Sequence, residues 1–186
     1  MKSVEEFYVK TLEFAGFRGA LKALRLPFGK DLRSGTVFFS REDADDKSLR
    51  YSTDIAWADK DMELMHTLIK RGDEHGKVMR GIMVWCHINA PRYFHAELDT
   101  YRVGAERLGS ESTMHIQGQG LPTDELVKMK EELPEGTMQQ RVWMFSYQTL
   151  RRIYFQRRNH RLPQWHTFCE WIESLPYAKE LITFEE

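Results

Sequence analysis

The sequence predicts an α+β fold, mostly helical with a small central sheet, built as one domain over residues 1–186. Three observations lead there. The run Asp59–Lys70 places Met62, Met65, Leu68 and Ile69 at helical spacing. The run GIMVWCHINAP, residues 81–91, is apolar, partly β-branched and bounded by Gly81 and Pro91, which reads as a buried strand. Finally, 186 residues with 41% hydrophobic and 12% aromatic content are enough for one core, and no repeat, low-complexity tract or linker divides them.

Taken in order, Ser3 and Glu6 form a capping box that predicts a helix from Val4 to Phe14, stopped at Gly16. A short helix from Ala20 to Leu24 follows and ends before Pro27. Gly29–Asp54 reads as irregular, with one apolar run (Val37, Phe38, Phe39) and the acidic patch EDADD, a solvated loop that lacks the fixed ligand spacing of a Ca2+ loop. After the Asp59–Lys70 helix and Gly72 comes the 81–91 strand, which passes directly into a helix at Pro91–Arg92 because the fixed φ of proline suits a first helical turn. Val103–Pro122, rich in Gly and Ser, reads as a long loop. Thr123 starts a helix to Leu133, Pro134 and Gly136 make a turn, and Thr137 starts the longest helix, ending near Asn159–His160. Pro163 opens a helix to Leu175, and Pro176 a short final one.

Charge and composition exclude several functions. Twenty-seven Lys and Arg against 28 Asp and Glu leave a net charge of −1, so the chain does not hold duplex nucleic acid mainly by bulk charge. Two cysteines, Cys86 and Cys169, cannot build a disulfide framework. No stretch approaches the roughly 20 apolar residues of a membrane span. Glu5, Glu6, Lys10 and Glu13 interrupt any apolar leader, so a soluble cytoplasmic protein is expected. His160, His166 and Cys169 are irregularly spaced, with Cys86 and His87 elsewhere; no metal site and no Cys–His nucleophile pair is expected.

The most distinctive segment is LRRIYFQRRNHRLPQW, residues 150–165. On a helix, Arg151, Tyr154 and Arg158 share a stripe, with Arg141 about three turns earlier near the same face. Two guanidiniums around a ring suit a phosphorylated ligand with a base to stack; a solvated, salt-bridged helix face has the same pattern. Ser110, Glu111, Ser112 and Thr113, in GSESTMH, read either as a phosphate cradle or as a flexible polar loop.

In their order, these segments resemble the flavin-dependent thymidylate synthase family over about residues 60–172. LIKRGDEHGKVMRGIMVWCHINAPRYFHAELDTYR, residues 68–102, is similar to that family's helix, Gly turn, strand, Ala-Pro and helix leading to an Arg-His-Arg motif. Its last arginine falls on Arg102, Thr100 and Tyr101 replace the preceding Arg and His, and the substrate-contacting Gln falls on Glu97. In the signature that follows, the family serine falls on Ser110, or on Thr113 if Glu111 matches the flavin-contacting Glu and His115 the phosphate-binding Arg. MQQRVWMF places another phosphate-binding Arg at Arg141. TLRRIYFQRRNHRLPQW resembles an Asn-Leu-Arg helix: Thr149 replaces the Asn, Arg151 keeps the Arg, and Arg157 or Arg158 matches a late substrate-binding Arg. Pro163-Gln164-Trp165 stands for Ala-Gln-Trp, and Gly76-Lys77-Val78-Met79 stands where the family has Glu-His.

The resemblance implies a homotetramer with active sites between subunits, FAD as cofactor, dUMP as substrate, and methylenetetrahydrofolate and NADPH as co-substrates. It implies substrate contacts from Glu97, Ser110, Ser112, His115, Arg141 and Arg158, and cofactor contacts from Arg102, Glu111 and Arg151. The activity implied is C5 methyl or hydroxymethyl transfer to a pyrimidine nucleotide, without a cysteine nucleophile. The altered motifs leave a second reading open, a non-catalytic nucleotide-binding protein on the same fold. A third, single-stranded nucleic-acid binding through residues 150–165, is opposed by the balanced charge.

Overall fold

The computed structural model describes residues 6–29 and 57–185, with the backbone of 37–38 and 55–56. Ser3, Phe39 and the EDADD patch lie outside the described residues. Four strands form an antiparallel sheet in the order β1 (Tyr8–Ala15), β4 (Met83–Pro91), β6 (Met138–Ser146), β5 (Ala105–Ser110). A two-residue ladder joins β2 (Val37–Phe38) to β3 (Ile55–Ala56). The helices are α1 (Phe17–Arg25), α2 (Asp59–Lys70), α3 (Arg92–Leu98), α4 (Thr113–Ile116), α5 (Thr123–Glu131), α6 (Tyr147–Arg157) and α7 (Pro163–Glu173), followed by one π-helical turn at Ala178–Ile182. The fold class is thus the expected one, mostly helical around a small sheet.

The core builds on β4. Val84, Cys86, Ile88 and Ala90 alternate onto one sheet face and are wholly buried, the period of two a strand requires. Opposite them β6 supplies Trp143 and Phe145 to the same face. Phe94, Trp165 and Phe168 close the core from α3 and α7, with Phe94 and Trp165 ring centroids 4.6 Å apart. Of the Trp residues, Trp57, Trp143, Trp165 and Trp171 are buried; Met65 is buried and Met62 half-buried, as core packing predicts.

Three expectations are corrected. Residues 8–15 are a strand, not part of a Val4–Phe14 helix. A register shift between Thr11 and Glu13 breaks the alternation, so Phe7, Thr11 and Phe14 fall at helix-like intervals although they belong to extended chain. The long helix expected from Thr137 is strand β6 followed by helix α6, and Arg141 lies on the strand rather than on the helix of Arg151. Ser146 makes the change: its side chain accepts the Thr149 backbone N–H at 3.2 Å, an N-cap at the strand's last residue. The 103–122 loop holds strand β5 and the short helix α4, because the outer side of β6 has ladder groups to pair.

Two close approaches fix the packing of the helical layer. Gly16 has φ +99°, and a Cβ there would stand 1.8 Å from the Gly81 carbonyl oxygen, so only glycine fits. Arg25 of α1 and Asp61 of α2 form a wholly buried ion pair, Nε to Oδ1 at 2.8 Å. Removing one member takes a buried, charge-assisted partner from the other. Asp61→Ala is therefore expected to lower unfolding free energy by about 3–5 kcal/mol, measured by urea denaturation; a loss below about 1 kcal/mol would show that the pair is dispensable.

Candidate functional site at the end of helix α3

The β4 strand delivers the chain into α3 at Pro91, and the turn before β6 caps that helix. The Arg92 N–H donates to the Thr137 carbonyl at 3.0 Å and the Tyr93 N–H to the Glu135 carbonyl at 3.1 Å, which satisfies donors that a helix start otherwise leaves open. Seven residues later α3 ends among arginines from β5, β6 and α6 and the Trp165 indole of α7.

One group gathers around Asp99. Its carboxylate accepts from Arg141 Nη1 at 2.9 Å and from Arg107 Nη1 at 3.3 Å. Arg141 Nε donates to Gln139 Oε1 at 3.1 Å, and Gln139 Nε2 donates to the Glu111 carbonyl at 2.8 Å. The Glu111 side chain accepts the Gln140 N–H at 3.0 Å. Arg141 is 12% exposed, so its charge is largely withdrawn from water. Ser110 stands opposite Arg141 in the β5–β6 ladder. Ser112 caps α4, where its side chain accepts the His115 N–H at 3.4 Å. The side chains of Ser110 and His115 are exposed.

A second group gathers around Glu97. Its Oε2 accepts from Arg157 Nη1 at 3.0 Å and from Trp165 Nε1 at 2.9 Å, with His160 Nε2 at 3.8 Å. The Arg157 guanidinium lies 4.6 Å from the Trp165 ring centroid and donates through Nε to the Tyr101 hydroxyl at 2.8 Å. Between the two arginines that the sequence leaves as alternatives, the structure puts Arg157 against Glu97. Arg102, just beyond, is exposed and makes no hydrogen bond among the described residues.

Arg151 and Arg158 are engaged elsewhere. Arg151 donates to the carbonyls of Ile182 and Phe184 at 2.7 and 2.9 Å, and its guanidinium lies 4.7 Å from the Phe155 ring centroid and 4.4 Å from that of Phe184. Arg158 pairs with Glu185 and lies 4.9 Å from the Phe155 centroid. The stripe on α6 thus holds the chain's own C-terminal segment, and it does not join Arg141.

Sequence reasoning missed Asp99, Arg107, Gln139 and His95. Asp99 carries a faint signal, a second carboxylate two residues after Glu97 at a helix end; the others come from register alone. His95 is wholly buried, with Nε2 2.8 Å from the Gln139 carbonyl. A carbonyl can only accept, so Nε2 bears the proton, and Nδ1 is left buried without a partner. Burial pushes the Cys169 thiol up to about 12 and the Cys86 thiol higher still, so neither supplies a thiolate at neutral pH. Among the described residues no group of three or more His, Cys, Asp or Glu side chains is placed to hold a metal ion, and no helix is long and apolar enough to cross a membrane.

No protein-family model matches the sequence, and no curated protein does. Solved structures do. Thymidylate synthase X (ThyX) from Helicobacter pylori, solved with FAD and dUMP, superposes with a TM-score of 0.65 over 96% of this chain and 98% of that one, at 14% identity. Another structure of the flavin-dependent thymidylate synthase from the same organism, also with FAD and dUMP, gives 0.64 over 95% and 98%, again at 14% identity. The fold is that of ThyX; identity this low speaks to the fold alone.

His95 gives the site a pH signature. Burial lowers its pKa to about 4; the Gln139 carbonyl and Asp99 favour the charged form, and Arg141 and Arg107 oppose it. The unfolded chain, with imidazole near its ordinary value of about 6.5, takes up a proton sooner than the native state does. The stabilisation is thus present in full above about pH 6.5 and is lost as the pH falls toward about 4. His95→Gln is expected to flatten that part of the profile of urea midpoint against pH; an unchanged slope would place the titration elsewhere.

Proposed function

We propose that the chain binds a pyrimidine nucleotide at the end of α3 and transfers a methyl or hydroxymethyl group to its C5 position, as a single-domain, soluble cytoplasmic protein. One observation carries this reading. Arg141, mostly buried, and Arg157, stacked on Trp165, converge with Glu97, Asp99 and Glu111 at one helix end, on the fold of a protein solved with FAD and dUMP. Planar guanidiniums grip phosphate oxygens bidentately, and a dianionic phosphate competes for Arg141 with the single charge of Asp99. Ser110, Ser112 and His115 border the same edge of the sheet and complete the proposed substrate side; Arg158 would join it only by leaving Glu185.

Of the residues expected to face FAD, two fit. Arg102 is exposed and uncommitted among the described residues, and Glu111 is half-buried at the other end of β5. Arg151 does not fit, because two C-terminal carbonyls and two rings occupy its guanidinium. Bound there, FAD would supply the hydride chemistry, with methylenetetrahydrofolate as one-carbon donor and NADPH as reductant, while the protein supplies position and charge. A homotetramer sharing sites between subunits belongs to this reading.

The engagement of Arg151, together with Thr100 and Tyr101 in place of an Arg-His pair, favours a second reading in which the nucleotide grip persists without flavin. Colour separates the two. Protein incubated with FAD and then freed of excess is expected to keep visible flavin absorbance; a colourless protein leaves only the second reading. dUMP or a related nucleotide is expected to raise the melting temperature by mass action, and no rise with any pyrimidine nucleotide would defeat both. Arg141→Ala is expected to weaken nucleotide binding about 10- to 100-fold, the loss of one charge-assisted phosphate contact.

A further inference from the structure

We propose that Glu97 makes this site selective for a cytosine nucleotide over a uracil nucleotide, an inference that rests on the nucleotide reading above. Glu97 is held from one side only. Oε2 takes the Arg157 guanidinium and the Trp165 indole at 3.0 and 2.9 Å, and His160 stands 3.8 Å from the same oxygen. Oε1 accepts no hydrogen bond among the described residues. The side chain is 33% exposed, so the open oxygen belongs to a group that solvent and ligand can reach.

The carboxylate is also rigidly placed. Trp165 is wholly buried and cannot follow a moving partner. Arg157 is stacked on that ring and tied through Nε to Tyr101, whose hydroxyl in turn donates to Gln156 Oε1 at 2.9 Å. Arg157 and Trp165 thus fix the carboxylate through Oε2, and what Glu97 itself offers a ligand is an oriented acceptor at Oε1.

Acceptor-only character decides the base. A glutamine of the same shape could turn its NH2 toward a ligand; a carboxylate accepts and cannot donate. Cytosine carries an exocyclic amino group at C4, whereas uracil has a carbonyl oxygen there, and carboxylates pair with the cytosine amino group. The uracil carbonyl would set lone pairs against lone pairs. Its N3–H is flanked by two carbonyl oxygens, so an approach to that donor brings the same opposition.

Calorimetric titration of the full chain with dCMP and dUMP tests this. The wild type is expected to bind dCMP at least about tenfold more tightly, the usual worth of one hydrogen bond to a charged acceptor. Glu97→Gln is expected to bring the two within about threefold or reverse them, a change in ratio that a merely structural role would not produce. The deoxynucleotide of pyrimidin-2-one, which lacks the 4-amino group, is expected to bind the wild type about tenfold more weakly than dCMP; this arm needs no variant and holds even if Glu97→Gln does not fold. Equal or tighter binding of dUMP by the wild type, or a ratio unmoved in a folded Glu97→Gln, overturns the proposal and leaves the nucleotide reading standing. Binding of neither nucleotide overturns both.

Discussion

The antiparallel ladder between β4 and β6 is the constraint on which the rest depends. It runs from Met83 opposite Ser146 to Pro91 opposite Met138, joining two segments of chain some fifty residues apart. One face of the ladder supplies Val84, Cys86, Ile88, Trp143 and Phe145 to the core. Its two ends launch the two helices that matter to the site. At one end Pro91 turns the chain into α3; at the other Ser146 turns it into α6, which returns far enough for Arg157 to meet Glu97. A slip of one residue in this register would exchange the faces of the strand and move Arg141 away from Asp99.

Much of the fold was legible where pattern and local chemistry agreed. Helix α2 occupies the predicted Asp59–Lys70, and β4 fills most of the predicted 81–91 run. The reading failed where tertiary pairing overrode local signals. The capping box of Ser3 and Glu6 signalled a helix where residues 8–15 instead pair with β4, and the half-exposed face of β6, with Met138, Gln140, Val142 and Met144, hid its alternation. At the site, Arg141, Glu97 and Glu111 were legible as charged residues in a known order of segments. Their partners were not, because Asp99 reaches Arg141 across 42 positions and Gln139 reaches Glu111 across 28. Such pairs are products of register, which a single sequence does not display.

The near-zero net charge takes on a different meaning in three dimensions. Arg141 faces Asp99, which it shares with Arg107, and Arg157 faces Glu97, while Arg152 pairs with Asp73 and Arg158 with Glu185 at the surface. Exposed pairs of this kind contribute little to stability. The half-buried pairs hold guanidiniums in place, and on the proposed reading a ligand phosphate would exchange with a carboxylate already present. Affinity at such a site depends on the difference between two anions rather than on the bare attraction of one.

The two bulges, between Thr11 and Glu13 in β1 and between Arg107 and Gly109 in β5, fall on the two outermost strands of the four-stranded sheet. Each breaks the even repeat of N–H and C=O groups that a neighbouring strand would need, and β5 adds the charges of Glu106 and Arg107 beside its break. The sheet is therefore capped against lateral growth on both sides, a safeguard against runaway edge-to-edge polymerisation. The same bulges disfavour joining the edges of two such sheets into one.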